Sequence, residues 1–201
     1  MATIRLPTEE QIKATWEPYV AALGRVAHAW NYLQEALGHL FAQVTGFDSQ
    51  ISCAIWYSSN SDRTQRQMLR AAIEALPEDH WGSQLPTARD DIIWLIKKAD
   101  EVAIKRNDAI HAPCSITISK RGFEISPAYF FGNPRARRLQ DKDILKEFVW
   151  YELTAETLTR FARDATTAIS PEQSAWPEKP LMPTLGQRQS HRESRRSRPP
   201  K

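Results

Sequence analysis

Apolar residues recur at alternating intervals of four and three in three long stretches of this sequence, a spacing typical of one face of an α-helix. The first stretch predicts a helix that begins near Thr8 or Trp16 and ends near Val44. Pro18 suits a first helical turn, and Gly46 is placed to end the helix. The apolar stripe of this helix consists of Val26, Trp30, Leu33, Leu37, Leu40 and Val44.

Shorter helices are predicted between the first stripe and the second. Residues 51–57 are apolar enough for one or two helical turns, and Ser61 or Asp62 is placed to cap a third helix. The second long helix begins near Thr87, and Pro113 closes it because the residue before a proline avoids the helical conformation. The stripe of this helix consists of Ile92, Ile96, Ala99 and Ala103.

The apolar period changes to two after this helix. Residues 115–126 alternate apolar and polar side chains around a turn near Gly122, which predicts a small β-hairpin. A basic loop follows, and a third long helix begins near Asp141. We therefore predict an all-α fold, an antiparallel helical bundle with a small inserted β-hairpin. The basic residues of the loop are Arg135, Arg137 and Arg138.

The C-terminal segment differs in composition from the rest of the chain. Residues 171–201 hold seven basic against three acidic residues, six prolines and few apolar side chains. Such a segment buries too little apolar surface to offset its ordering entropy. We predict a helical bundle domain over 1–170 and a disordered, basic, proline-rich tail over 171–201. The charge of the tail leaves two roles open, a solubilising extension or a weak, sequence-independent hold on nucleic acid.

Cysteine usage and hydropathy indicate the compartment. Cys53 and Cys114 are the only cysteines, and neither belongs to a metal-binding spacing, which is typical of a reducing cytosol. No apolar run is long enough to span a bilayer, and the first residues hold no hydrophobic signal core. We therefore expect a cytoplasmic protein without a membrane partner.

A charged residue interrupts the second apolar stripe. Arg106 lies three residues after Ala103, in the middle of the face that should be buried. A buried guanidinium needs an anionic partner, and its planar donors fit a phosphate well. His111, five residues further on, has a side chain that exchanges protons near neutral pH. Together these two residues suggest phosphodiester chemistry.

An ideal helix places Arg106 and His111 about 140° apart around its axis, so a common site needs a further arrangement. In one arrangement the helix ends near Ile110 and His111 is free to turn. In the other, two copies of the helix meet across a twofold axis and each supplies part of a shared site. A helix C-terminus also favours the protonated imidazole, which would suit a general acid.

The stretch 106–111, with the sequence Arg-Asn-Asp-Ala-Ile-His, resembles the Arg-polar-x-x-x-His motif of the HEPN superfamily, where the motif ends a long helix of a bundle. The resemblance implies a metal-independent endoribonuclease without a cofactor, in which a ribose 2′-hydroxyl attacks the adjacent phosphate. Arg106 would bind the phosphate, Asn107 would be the polar motif residue and His111 would move protons. The resemblance also implies a homodimer that acts on RNA and, for toxin or defence members, an antitoxin protein as partner.

Structural roles stay open for the same residues. Arg106 would then form a buried ion pair, with Glu35 as a candidate partner, and His111 would cap its helix. The chain would in that case be a non-catalytic helical binding or dimerisation module, as some HEPN members are. The predicted hairpin and the long extensions leave the subfamily open.

Other chemistry-bearing residues are expected to have ordinary roles. Glu35 and His39 are four residues apart on the first helix, but the Glu-x-x-His spacing of two-metal bundles is absent, so no metal site is expected. The tryptophans are expected as core anchors. The basic residues of the third predicted helix are expected at the solvated surface unless they border Arg106; they are Arg63, Arg66 and Arg70.

Overall fold

The computed structural model describes residues 6–81, 85–119, 122–128, 132–170 and 175–185, which are mostly helical with one small antiparallel hairpin. A short 3₁₀ turn lies between the third and fourth helices. The helices are α1 Glu9–Thr45, α2 Ser49–Tyr57, α3 Asp62–Ala75, α4 Ala88–His111, α5 Pro134–Arg138 and α6 Ile144–Ile169, and the strands are β1 Cys114–Ser119 and β2 Gly122–Pro127.

The longest helix, α1, is closed at both ends by residues that satisfy its terminal backbone groups. The Thr8 hydroxyl accepts a hydrogen bond from the Gln11 backbone N–H at 3.3 Å, and the Gln11 side chain accepts one from the Thr8 N–H at 2.9 Å. Gly46 ends the helix with a φ of 65°. The predicted start at Thr8 and end at Gly46 are confirmed. The prediction that Pro18 opens α1 is wrong, because the capping box starts the helix earlier and Pro18 lies inside it.

The three apolar stripes meet in one core. Leu33 and Leu37 of α1, Ile92 and Ile96 of α4 and Phe148 of α6 are all at most 1% exposed. Their burial confirms the helical stripes that the spacing predicts. None of the described helices is long and apolar enough to cross a membrane.

The predicted hairpin is confirmed, with Ile116 opposite Ile125 and Ile118 opposite Phe123. The residues predicted as a basic loop instead include the short helix α5. The side chain of Asn133 accepts hydrogen bonds from two backbone N–H groups at its start, and the helix opens with a proline. That cap and proline are the local signals for a helix in this segment.

The bundle is not antiparallel throughout, which corrects one part of the predicted fold. The ring of Tyr19 lies 5.3 Å from that of Phe148, and Arg163 lies over Tyr32 at 5.6 Å, so α1 and α6 run in the same direction. The nine-residue α2 returns the chain only part of the way along α1 before α3 begins. The pairs that set α4 opposite to α3 and α6 are Asp62–Arg106, Arg66–Asp100, Trp94–Phe161 and Lys105–Trp150.

Part of the C-terminal segment packs on the bundle, which corrects the predicted disorder over 171–201. Residues 175–185 are called the strap below. The strap first contacts the bundle at Asp91, near the start of α4. The indole N–H of Trp176 donates to the Asp91 carboxylate at 2.7 Å, and the Lys179 ammonium pairs with it at 2.5 Å. This buried carboxylate is therefore one anchor of the strap.

A second anchor lies on α6. The indole N–H of Trp150 donates to the carbonyl of Pro183 at 2.8 Å, and the Trp176 ring lies 6.5 Å from that of Phe161. Aromatic packing and these hydrogen bonds offset an ordering cost that the average composition does not cover. The predicted disorder of 171–174 and 186–201 lies outside the described residues.

The strap is expected to stabilise the bundle. We expect truncation after Ser170 to lower the free energy of unfolding by about 2 kcal/mol, the scale of one buried large side chain, and the melting temperature by about 4–8 °C. Truncation after Leu185 keeps the strap and is the matched control. Thermal unfolding of both proteins measures this, and equal melting temperatures would contradict it.

The Asp91 anchor is expected to depend on pH. Burial by itself raises the pKa of Asp91, but hydrogen bonds from Lys179, Trp176 and Thr87 and the charge of Lys179 together hold that pKa below its ordinary value of 3.8. A carboxyl group whose pKa is lowered in the folded state stabilises the fold at pH values above its ordinary pKa. This contribution is lost as the pH falls through the lower, folded-state pKa.

We therefore expect Asp91→Asn to destabilise the protein at pH 7 and to cost progressively less as the pH falls below 3.8. Denaturant unfolding of the native protein and the variant at a series of pH values measures the difference. A difference that stays constant down to the acid limit of folding would show that Asp91 does not act through its charge.

Candidate functional site

Arg106 lies where α1, α3 and α4 meet. Its side chain is 15% exposed, and its guanidinium carbon lies 4.6 Å from the ring centroid of Trp30, a buried residue of α1. The nearest carboxylate is that of Asp62 on α3, 3.9 Å from Nη2. The prediction that Glu35 pairs with Arg106 is wrong, because Glu35 is exposed and faces His39 at 3.9 Å. The charge of Arg106 is thus stabilised by an aromatic face and a carboxylate.

The donors of Arg106 are only weakly engaged. Nη1 donates to the side-chain oxygen of Asn107 at 3.2 Å, and Nη2 is beyond hydrogen-bond distance of Asp62. Nε is buried and has no acceptor among the described residues. Burial lowers the pKa of Arg106, with Asp62 opposing this effect and Arg66 adding to it. Nη2 therefore retains donor capacity for an anion from outside the chain.

A second guanidinium lies on the same indole. Arg66 of α3 is 3% exposed, and its guanidinium carbon lies 5.4 Å from the Trp30 centroid. Nε donates to Asp100 at 2.8 Å, whereas Nη1 is buried without an acceptor in the described part of the chain. Arg66 is therefore not at the solvated surface, and it meets the exception made for a basic residue that borders Arg106. The sequence contained its signal, because Arg66 precedes the buried Leu69 and Ile73 at intervals of three and four.

His111 is the last residue of α4 and is exposed. The helix does not end before it: the Ala112 N–H bonds to the carbonyl of Asp108 at 2.9 Å and closes the final turn. His111 makes no hydrogen bond or ion pair to another described residue. Regular helix geometry separates it from Arg106 by about 7.5 Å along the axis and about 140° around it. The structure therefore brings Arg106 and Asn107 together and leaves His111 apart from Arg106 within one chain.

One exposed face of α4 carries His111 together with Asn107 and Ile104. These residues follow one another at intervals of three and four, so they lie along one side of the helix. Ile104 is 66% exposed, a high value for an isoleucine in the middle of a long helix. This side of α4 combines an apolar side chain with the two exposed motif residues.

The third residue of the motif, Asp108, has no role that the sequence predicts. Its carboxylate is buried and accepts two hydrogen bonds from Arg138 of α5, each at 2.5 Å. The two-donor geometry connects α5 to the last turn of α4 and so fixes the turn that carries His111. Spacing along the sequence gives no signal for this pair, because thirty residues separate its members.

We expect Asp108→Asn to destabilise the protein more than the same change at an exposed position, since the charge-assisted pair with Arg138 is lost. Asp164→Asn, an exposed position of α6, is the matched control and should cost less than about 0.5 kcal/mol. Denaturant unfolding measures both variants. Equal stability of the two would mean that the Asp108–Arg138 pair adds nothing to the fold.

The described residues contain no group of three or more His, Cys, Asp or Glu side chains arranged to hold a metal ion. The chain matches no protein-family model, and comparisons with curated proteins and with solved structures gave no significant match.

Proposed function

We propose that the protein is a homodimeric, metal-independent endoribonuclease of HEPN type, with Arg106, Asn107 and His111 in its active site. The observation that carries the proposal is the state of Arg106, a guanidinium that lies on a buried indole and whose Nη2 is beyond hydrogen-bond distance of its nearest carboxylate. It stands five residues before an exposed histidine at the end of the same helix. A role as a toxin or defence protein, with an antitoxin protein as partner, belongs to the same proposal.

The chemistry needs one anion-binding group and one group that transfers protons. Arg106 binds the scissile phosphate and neutralises the charge that develops on its oxygens. The ribose 2′-hydroxyl loses its proton and forms a bond to phosphorus, while the bond to the 5′-oxygen breaks and that oxygen gains a proton. His111 transfers protons in this reaction. The products carry a 2′,3′-cyclic phosphate and a 5′-hydroxyl.

A twofold axis offers a way to unite the two residues. The exposed α4 face with Ile104, Asn107 and His111 supplies an apolar contact beside the motif, and an isologous interface would place two such faces together. Arg106 of one copy would then approach His111 of the other. We therefore propose that each site draws on both subunits.

A non-catalytic helical module is the alternative, and one observation favours it. Arg106 already stacks on Trp30 and faces Asp62, as a purely structural cation would. In that module the exposed α4 face would serve dimerisation or partner binding, and RNA would not be cleaved.

Cleavage of single-stranded RNA in excess chelator separates the two functions. We expect cyclic-phosphate ends from the native protein, and none when the substrate carries 2′-deoxy sugars. Arg106→Ala should abolish cleavage, and His111→Ala and His111→Gln should each slow the chemical step by about 10²–10⁴-fold. His39→Ala, which removes an exposed histidine of α1, should leave the rate unchanged. Full activity of His111→Ala would defeat the catalytic proposal.

Subunit mixing tests whether the site is shared. Heterodimers of Arg106→Ala and His111→Ala subunits retain one site with both native residues if that site draws them from opposite chains. We expect part of the activity to return on mixing. No recovery, with subunit exchange confirmed by mass, would refute the cross-subunit site while leaving the ribonuclease proposal intact.

A further inference from the structure

We propose that Trp30, Asp62, Arg66 and Arg106 form a phosphate-binding site in which the Asp62 carboxylate occupies the position of the anion. This site deepens the proposed function and rests on it for the source of the phosphate, the backbone of RNA. Asp62 would be an internal competitor of the substrate, and Arg66 a second cation beside the phosphate. The RNA-cleaving motif at 106–111 contains neither residue.

The surroundings of the Asp62 carboxylate are those of a bound oxyanion. Its Oδ2 atom accepts a hydrogen bond from the Trp30 indole N–H at 2.6 Å and lies 3.9 Å from Nη2 of Arg106. Asp62 is also the first residue of α3, a helix of 14 residues whose N-terminus carries a partial positive charge. One oxygen atom thus faces an indole donor and a guanidinium at the positive end of a helix.

The Asp62 carboxylate can move out of this position, whereas the donors around it are held in place. The side chain of Asp62 is 46% exposed, so it can turn into solvent without opening the core. Trp30 and Arg66 are each only 3% exposed and stay in place. A phosphate oxygen that replaced Oδ2 would take over the indole donor, and a further oxygen would engage the planar donors of Arg106 more closely than the carboxylate does.

Arg66 makes the site cationic once Asp62 has turned away. Its only carboxylate partner in the described part of the chain is Asp100, which contacts Nε and leaves Nη1 without an acceptor. Two guanidiniums on one indole repel each other at low dielectric, and an anion between or beside them relieves that repulsion. Arg66 is therefore a positioning and charge-supplying residue rather than a catalytic one.

The test measures binding and not cleavage. The probe is a single-stranded 2′-O-methyl oligoribonucleotide, which lacks the attacking hydroxyl, titrated against the full-length protein at several salt concentrations. Asp62→Asn should tighten binding at least about threefold at low salt, since it removes the competing charge but keeps an acceptor for Trp30. Asp48→Asn is the matched control: it makes the same charge change at the N-cap of α2, away from the cluster.

A second pair of variants tests Arg66. Arg66→Met should weaken binding of the probe about tenfold or more, and the double variant with Asp62→Asn should lose the gain in affinity. Arg163→Met, which removes an exposed guanidinium from the ring of Tyr32, is the control and should change binding less than threefold. Arg66→Lys keeps the charge, so it should bind better than Arg66→Met; if the methionine variant does not fold, Arg66→Lys replaces it, with weaker binding than the native protein expected.

The outcomes separate this site from the proposed function. Affinity of Asp62→Asn equal to or below that of Asp48→Asn would overturn the phosphate site, even if Arg106 and His111 prove essential for cleavage. Tighter binding by Asp62→Asn that depends on Arg66 would support the site even if the native protein cleaves no RNA. In that case the ribonuclease proposal alone fails.

Discussion

The indole of Trp30 is the contact on which the arrangement of α1, α3 and α4 depends. Two arginines interrupt the apolar faces of α3 and α4, and both guanidiniums lie on this one buried ring. Each such contact contributes about 0.5–2 kcal/mol, more when it is shielded from water, so the ring offsets part of the cost of burying two charges. The indole N–H also donates a hydrogen bond to Asp62, whose carboxylate adds a negative charge beside the ring. Without an aromatic residue here, α3 and α4 would have to pack elsewhere or expose their arginines.

Periodicity predicts what is local in this fold. The stripes of α1, α4 and α6 and the alternation in the hairpin follow from the geometry of single elements, so the sequence contains them fully. The direction of α6 relative to α1 is a property of the connections between them, and no residue spacing encodes it. The partner of Arg106 was missed for a related reason, because Asp62 reads as a helix cap in the sequence and only the packing of α3 on α1 brings it to the guanidinium.

The strap shows a limit of composition as a guide to order. The C-terminal segment has the charge and proline content of a disordered chain, and averaged over its length that expectation is reasonable. Order in 175–185 instead comes from a few strong contacts, chiefly Trp176 with the buried Asp91. Indole hydrogen bonds to a carboxylate and a carbonyl depend on where those acceptors lie in the fold, so the sequence does not predict them. His111 is the converse case, since its exposure follows simply from its place at the end of α4.

Because α1 packs on α6, the core cannot be completed until α6 has been synthesised. These are the first and last helices of the bundle, and their pairing is the most extensive between any two described elements. Contacts between residues so far apart in sequence slow the search for the native state compared with a bundle of consecutive helical hairpins. During synthesis the part of the α1 stripe that packs on α6 therefore stays exposed until more than a hundred further residues have been added. A nascent chain of this kind has a long interval in which its first helix is open to chaperones or to unintended partners.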